Sequence, residues 1–213
     1  HSLNTYLPKL VKAGMRVAIC DQLENPKMTK TIVKRGVTEL VTPGVSLNDE
    51  VLQSKSNNFL AAVHFGKRLL GVSFLDVSTG EYLLAQGNEE YIDKLLQNFI
   101  PSEVLVQKQY KQKFKELFED RFYTFFLDDW VFQKDYGFET LNNHFGVNSL
   151  KGFGVDELPE GIIAAGAVLY YLSETQHNKL QHIQNISRIA EDKYVWMDRF
   201  TVRNLELYHS TSV

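Results

Sequence analysis

The sequence predicts an α/β fold in which a mixed β-sheet carries helices on its faces. Three apolar segments, at 59–64, 69–76 and 81–85, are joined by links so short that their strands must run antiparallel. Strand-like and amphipathic helical segments then alternate along the chain, which is typical of an α/β sheet. Residues 161–172 are apolar on nearly every side, and this pattern indicates a buried helix.

Residues 1–45 precede this unit and predict part of a smaller α+β domain. Segment 3–14 places its apolar side chains at i, i+4, i+7 and i+8, which is one face of a helix. Segments 16–20 and 37–41 have the short apolar character of strands. The first part of the chain is therefore predicted to combine one helix with two strands.

The boundary between the two parts is predicted at a Thr-Pro-Gly turn. Pro43 cannot donate to a strand ladder, and Gly44 tolerates a positive φ, so the chain leaves the first domain here. The polar residues 46–57 are interpreted as a linker. We expect residues 58–178 to form the α/β domain and residues 179–213 to begin a third domain.

The elements after the three antiparallel strands follow from periodicity. The helix that follows them has acidic residues in its first turn, which suit the positive end of the helix dipole. The resulting order, βββαβαβ followed by helices, is the order of ribonuclease H-like domains. The predicted segments are helix 89–99, strand 104–106, helix 108–118, strand 122–126, helices 135–145 and 159–175, an extended segment 186–197 and helix 198–209.

Composition limits the class of protein. The chain has 213 residues, a net charge of −3 and 44% hydrophobic residues, which is ordinary globular composition. The single cysteine, Cys20, cannot form an internal disulfide, and no apolar stretch approaches the roughly 20 residues of a membrane span. We expect a soluble cytoplasmic protein, associated with the nucleoid.

The charge is distributed unevenly along the chain. Residues 1–45 carry seven Lys and Arg against three Asp and Glu, whereas the rest of the chain carries 16 against 23. A basic segment joined to an acidic one indicates that the first part alone could face a polyanion such as DNA, although a solvated helix face is an equally good interpretation.

A ribonuclease H-like order raises the hypothesis of a free-standing, metal-dependent nuclease. Such chemistry needs carboxylates from the first strand, the first helix and the end of the fourth strand around two Mg²⁺ ions. Here the first strand has none, and the fourth ends in Gln107. Asp76 lies on the second strand and is better placed to cap the turn at Ser78-Thr79-Gly80. We expect no catalytic residues and no metal site.

A second alternative is a module that binds single-stranded nucleic acid. Fourteen of the 26 aromatic residues lie between Phe99 and Phe153, and bases stack on such side chains. The charges around them are mixed, however, and their spacing fits helix and strand interiors. Core packing is the favoured interpretation of this aromatic run.

Five segments carry a resemblance to the bacterial MutS family of DNA mismatch repair proteins. HSLNTYLPKLVKAG, VAICDQ and KRGVTELVTPG, all within residues 1–44, resemble the later half of that family's mismatch-binding domain. LKGFG at 150–154 resembles the end of its connector domain. MDRFTVRNLEL at 197–207 resembles the opening of its core, or lever, domain. The resemblance covers nearly the whole chain in order.

The resemblance implies a fold and a role. The family's connector is a non-catalytic ribonuclease H-like domain that transmits nucleotide and DNA state between distant domains and presents a surface to MutL. The family's mismatch-reading Phe-x-Glu motif and its ATPase have no counterpart in these residues, so the chain resembles an internal fragment. Mismatched double-stranded DNA, a second MutS copy, and ATP with Mg²⁺ are implied for the full-length protein, with no cofactor in the fragment.

Two groups of residues are the candidate binding sites. The first is expected near DNA because it combines the start of the chain with the basic side chains of the first region: His1, Ser2, Lys27, Lys30, Lys34 and Arg35. The second is expected at the MutL interface because charged rims steer association. It consists of Lys108, Lys111, Lys115, Asp128 and Asp129.

Overall fold

A computed structural model describes residues 2–24, 32–45, 57–175 and 180–189 of the chain. Most of the predicted linker and the predicted helix 198–209 lie outside these residues. Within them the chain forms a small first region, at 2–24 and 32–45, and a larger α/β unit, at 57–175 and 180–189.

The first region contains the predicted helix and both predicted strands. Helix α1 spans Ser2–Lys12, and strands β1, Val17–Gln22, and β2, Arg35–Val41, pair antiparallel. Leu7 and Val11 of α1 pack against Val41 of β2 and form a small core. Gly14, at φ +81°, turns the chain from α1 toward β1 in a conformation that other residues rarely adopt.

The α/β unit is built on a six-stranded mixed sheet with the order β7-β6-β3-β4-β5-β8. Strands β3, β4 and β5 are antiparallel neighbours, β6 runs parallel to β3, and β7 runs parallel to β6. The predicted βββαβαβ order is therefore confirmed. The strands are β3 Phe59–Phe65, β4 Leu70–Asp76, β5 Glu81–Gly87, β6 Glu103–Gln107, β7 Thr124–Leu127 and β8 Ser187–Arg188.

Helices cover both faces of this sheet, so the predicted α/β class is confirmed. Side chains alternate along β3, and Leu60 and Ala62 enter one core while Ala61 and Val63 enter the other. Helices α2 and α3 cover the second of these faces, and α4 and α5 cover the first. The helices are α2 Glu89–Phe99, α3 Lys111–Phe118, α4 Lys134–Phe145 and α5 Pro159–Glu174.

The predicted buried helix is α5, which packs across β3, β4 and β5. Several boundaries differ from the prediction by one to three residues. A short 3-10 helix, Lys108–Tyr110, precedes α3, and β7 starts at Thr124, two residues later than predicted.

Strand β8 was predicted only as part of an extended segment, and the structure adds it to the sheet edge beside β5. Two imidazoles hold the segment that leads to it. His144 Nε2 donates to the carbonyl of Ile183 at 2.9 Å, and His182 Nε2 donates to the carbonyl of Val77 at 2.7 Å. The last described residues are thereby tied back onto the α/β unit.

Candidate functional site at the junction of the two regions

The carboxylate of Glu103 joins the first region to the α/β unit. Glu103 begins β6 and is only 2% exposed. Its Oε2 accepts from the Thr42 hydroxyl at 2.6 Å and from the Gly44 N–H at 3.2 Å. Its Oε1 accepts from the Tyr171 hydroxyl of α5 at 2.8 Å. One buried side chain therefore binds three donors from two separate parts of the chain, the Thr-Pro-Gly turn and helix α5.

The Thr-Pro-Gly turn presents its donors to Glu103 because it is closed on itself. Thr42 and Val45 exchange two backbone hydrogen bonds, at 3.1 and 3.2 Å. A Cβ added at Gly44 would lie 2.8 Å from both Glu103 Cβ and Leu60 Cδ1, so no larger residue fits this close approach. Val45 itself is fully buried in the core of the α/β unit.

Burial sets the protonation state of the Tyr171 hydroxyl. It raises the pKa of Tyr171 far above its usual value, and the facing Glu103 carboxylate shifts the pKa in the same direction. Tyr171 therefore stays protonated and donates to Glu103. Because three donors satisfy this carboxylate, its burial does not leave an unpaired charge.

Four further contacts surround the Glu103 site. The guanidinium of Arg16 lies 3.7 Å from the Phe125 ring centroid and 5.5 Å from that of Tyr171, within cation–π range. Leu40 N–H donates to the Thr175 carbonyl at 3.4 Å, and the Asn58 side-chain amide donates to the Pro43 carbonyl at 3.2 Å. We call the Glu103 site and these contacts the junction.

Asp76 acts as the predicted turn cap. Its Oδ1 accepts from the Ser78 N–H at 2.9 Å, the Ser78 hydroxyl at 2.6 Å and the Thr79 N–H at 3.3 Å. Its Oδ2 accepts from the Asn58 N–H at 3.2 Å. Both carboxylate oxygens are thus engaged in shaping the chain around the β4–β5 turn.

The nuclease hypothesis requires carboxylates on β3 and at the end of β6, and the adjacent carboxyl ends of these two strands carry none. His64 and Gln107 occupy them, with His64 Nδ1 3.1 Å from Gln107 Oε1 and His64 Nε2 3.0 Å from Glu160 Oε2. Burial lowers the pKa of His64, and the facing Glu160 carboxylate opposes that shift. In the described part of the chain, no three His, Cys, Asp or Glu side chains group as metal ligands. This cluster ties β3, β6 and α5 together.

The predicted partner-interface residues do not form one cluster. Lys108 pairs with Asp128, and Asp129 accepts from the Gln109 N–H at 3.3 Å, so these residues share one corner of the unit. Lys115 is 2.7 Å from Asp120, and the ammonium of Lys111 lies 5.3 Å from the Phe126 ring centroid. All of these lysines are exposed, but the ammonium of each has a partner within the chain.

The predicted DNA-proximal residues are described only in part. His1, Lys27 and Lys30 lie outside the described residues, and Ser2 begins α1 but its side chain is not described. Lys34 is exposed, with its ammonium 3.9 Å from Glu24 Oε1, and Arg35 is exposed at the start of β2. Of this group, the structure therefore describes the side chains of only Lys34 and Arg35, which are adjacent in the sequence.

Two features escaped the sequence analysis. The junction was missed because Thr42 and Glu103 are 61 residues apart. The Thr-Pro-Gly turn was the only sequence signal near it, and that signal does not identify the acceptor of the turn's hydrogen bonds. The other is a partly exposed cluster of Trp130, Tyr136 and Tyr170, whose ring centroids lie 5.1 to 6.1 Å apart in edge-to-face pairs. We call these three residues the aromatic patch. Trp130 is 45% exposed within it.

Two family models match the chain. MutS domain I matches residues 1–50, and MutS domain II matches residues 58–184. In the part of the chain that the structure describes, no helix is long and apolar enough to cross a membrane.

Proteins named DNA mismatch repair protein MutS are similar over almost the whole chain. Those of Flavobacterium psychrophilum and Christiangramia forsetii are 77% and 76% identical over 99% and 100% of this chain, and that of Cytophaga hutchinsonii is 61% identical over 99%. The chain spans about a quarter, 24%, of the length of each relative. A solved chain of fowlpox virus resolvase, in complex with Holliday junction DNA, is 11% identical with a TM-score of 0.38, covering 54% of this chain and 98% of that one. A likeness this low supports no conclusion about function.

Proposed function

The chain belongs to the MutS family, and from this premise we propose that it is the mechanical link between the DNA-reading and nucleotide-hydrolysing parts of a mismatch repair protein. In this proposal residues 1–45 are the end of the mismatch-binding domain, residues 58–178 are the connector, and residues 179–213 begin the core. The first described residues of that last segment, 180–189, pack on the connector and add β8 to its sheet. The connector passes the DNA and nucleotide state from one neighbour to the other. Mismatched double-stranded DNA and a second MutS copy are the partners of the whole protein.

The junction is the observation that supports this role most strongly. A link transmits motion only if it is attached firmly to what moves. Here the Thr-Pro-Gly turn that closes the first region is bound by Glu103 of β6 and, through that carboxylate, by Tyr171 of α5. A rotation of the first region therefore displaces strand β6 and the buried helix α5 together.

ATP and Mg²⁺ are proposed for the whole protein and not for these residues. The sequence contains no Gly-x-x-x-x-Gly-Lys-Ser/Thr loop, which is the pattern whose backbone amides and lysine hold the phosphates. This chain therefore offers no phosphate-binding loop of that kind, and its proposed part in the cycle is to respond to changes that arise elsewhere.

The test is a change of Glu103 in the full-length protein that contains this chain. Glu103→Gln keeps the size of the side chain but removes the charge that three donors share. We expect mismatch binding without nucleotide and basal ATP hydrolysis to persist, while the effect of ATP on DNA binding is reduced. Glu90→Gln on α2, which removes a charge from an exposed ion pair with Lys94, is the matched control. An unchanged response to ATP in Glu103→Gln would contradict the proposed link.

We also propose that the α/β unit presents a surface to MutL around Lys108, Lys111, Lys115, Asp128 and Asp129. The exposed Trp130 follows directly after the two aspartates, and tryptophan is enriched among residues that dominate interface energies. The lysines form a charged rim, which steers association more than it stabilises the complex.

Reversing two of these lysines tests the surface. Lys111→Glu with Lys115→Glu should slow association of the 213-residue chain with MutL at low salt, and the difference should shrink as salt screens the charges. Lys94→Glu on α2 reverses a charge elsewhere and serves as the control. Equal association rates for the two variants would place the interface elsewhere.

A further inference from the structure

The aromatic patch and the junction share one turn of helix α5. Tyr171 donates its hydroxyl to Glu103 at the junction, and its neighbour Tyr170 packs edge-to-face on Trp130 with ring centroids 5.1 Å apart. Consecutive residues of a helix point about 100° apart, so the same turn faces two sites at once. A shift of the backbone at either tyrosine therefore moves the other.

A second connection runs through strand β7. Arg16 of the first region packs its guanidinium on Phe125, and Phe125 in turn lies 5.4 Å from the ring of Tyr171. Strand β7 ends at Leu127, and the 3-10 helix that follows, Asp129–Phe132, carries Trp130. Both Tyr170 and Trp130 are thus attached to residues that the first region contacts.

Charged side chains also surround the aromatic patch, and two of them are the paired Lys108 and Asp128. Glu174 and Asp128 act on Tyr170, where burial and these carboxylates raise the pKa of the phenol, while Lys108 opposes them. Trp130 is half in solvent, and its exposed fraction depends on how closely Tyr170 and Tyr136 cover it. A small displacement of α5 or β7 therefore changes the surface that the patch offers.

We propose that the aromatic patch responds to the state of the junction, so that loosening the first region uncovers Trp130. The inference rests on the proposed mechanical role of the chain. It identifies the aromatic patch as the surface whose packing changes when the junction changes. Packed side chains move between discrete arrangements rather than deforming smoothly, which is why contacts at Arg16 and Glu103 control the packing at Trp130.

Trp130 is itself the reporter for the test. The chain has two tryptophans, and Trp196→Phe leaves Trp130 as the sole tryptophan in the 213-residue chain. In that background, Arg16→Met removes the cation that packs on Phe125 and Tyr171 but leaves the buried core unchanged. We expect a red-shifted emission maximum and a larger acrylamide quenching constant for Trp130. Lys94→Met, an exposed cation on α2, should leave both unchanged.

A double-mutant cycle measures the same coupling without a fluorophore. Thr42→Val removes a junction donor, and Trp130→Ala removes the patch. If two sites are independent, the change in the unfolding equilibrium constant of the double variant equals the product of the changes in the two single variants. Because we propose that these sites are coupled, we expect the double variant to differ from that product by about twofold or more. Trp130→Ala combined with Lys94→Met should obey the product.

Unchanged Trp130 fluorescence in Arg16→Met, together with a multiplicative Thr42 and Trp130 cycle, would overturn the inference. Tyr171→Phe provides a second junction variant for the fluorescence measurement, since it removes a hydroxyl and keeps the ring. If Glu103→Gln uncouples ATP from DNA binding in the full-length protein while Trp130 does not respond to the junction variants, the proposed function stands and only this inference fails.

Discussion

The first region and the α/β unit are stabilised in different ways. Among the described residues, the core of the first region consists of three buried side chains, whereas the α/β unit buries 25 on one face of its sheet and 17 on the other. One of those 25, Val45, comes from the first region. The α/β unit is therefore stabilised by its own core, whereas the first region depends on residues that pack against the α/β unit.

The largest expected effect is in the core of the α/β unit. Phe74 is fully buried and packs against Phe59 and Phe99, with ring centroids 6.1 and 4.5 Å away. Phe74→Ala should lower the free energy of unfolding by about 3–5 kcal/mol through lost burial and a residual cavity. Urea denaturation followed by circular dichroism measures this. Leu69→Ala, at an exposed turn, should cost less than about 0.5 kcal/mol, and similar losses in both variants would refute the described core.

The next effect separates the two regions. Glu103→Leu leaves the Thr42 hydroxyl, the Gly44 N–H and the Tyr171 hydroxyl without their acceptor, which should cost about 2–3 kcal/mol. Limited proteolysis should then attack the first region before the α/β unit, since only the former relies on this carboxylate. Val106→Ala, on the same strand but facing the opposite core, is the control. Simultaneous cleavage of both regions in Glu103→Leu would show that the first region does not depend on Glu103 more than the α/β unit does.

Alkaline pH provides a smaller effect. Burial raises the pKa of Tyr171 and of Tyr82 above the ordinary value near 10, so the folded chain keeps protons that the unfolded chain releases. The free energy of unfolding that these protonated phenols contribute is complete below about pH 10. Above that pH it falls by about 1 kcal/mol per pH unit for each tyrosine. Tyr171→Phe and Tyr82→Phe should each flatten the loss of stability measured between pH 10 and 11. An unaltered slope in both variants would contradict the burial of these phenols.

The smallest effect concerns the surface of the first region. We expect the chain to bind homoduplex and mismatched DNA weakly and equally, with a strong salt dependence. Lys34→Met should reduce the slope of log affinity against log salt by about one and barely change stability, because its pair with Glu24 is exposed. Lys94→Met should leave the slope unchanged. A clear preference for a G·T mismatch in the titration would refute this prediction.

Most of the fold could be predicted because its signals are local. The three antiparallel strands follow from apolar runs separated by turns of a few residues, and helix α5 follows from its apolar character on all sides. The cap formed by Asp76 was also predictable, since an Asp two residues before a Ser donor is a turn signal in itself. Pattern and propensity determine such features within a few residues.

The junction could not be predicted because its partners meet only in the folded chain. Glu103 directly precedes the predicted strand 104–106, and nothing near it in the sequence indicates that it is buried. Its three ligands come from positions 59 to 68 residues away. The same holds for His64 and Glu160, which meet across 96 residues. The lysines at 108, 111 and 115 are exposed, and the sequence did not indicate their partners within the chain.

Amide hydrogen exchange at Gly44 tests most directly whether the first region is held by Glu103. The Gly44 N–H donates to Glu103 Oε2, so it should be protected in the 213-residue chain and exchange at least about tenfold faster in Glu103→Leu. The Ser78 N–H, which donates to Asp76, should be equally protected in both proteins. Rapid exchange of Gly44 in the unaltered chain, or equal protection in Glu103→Leu, would contradict the account.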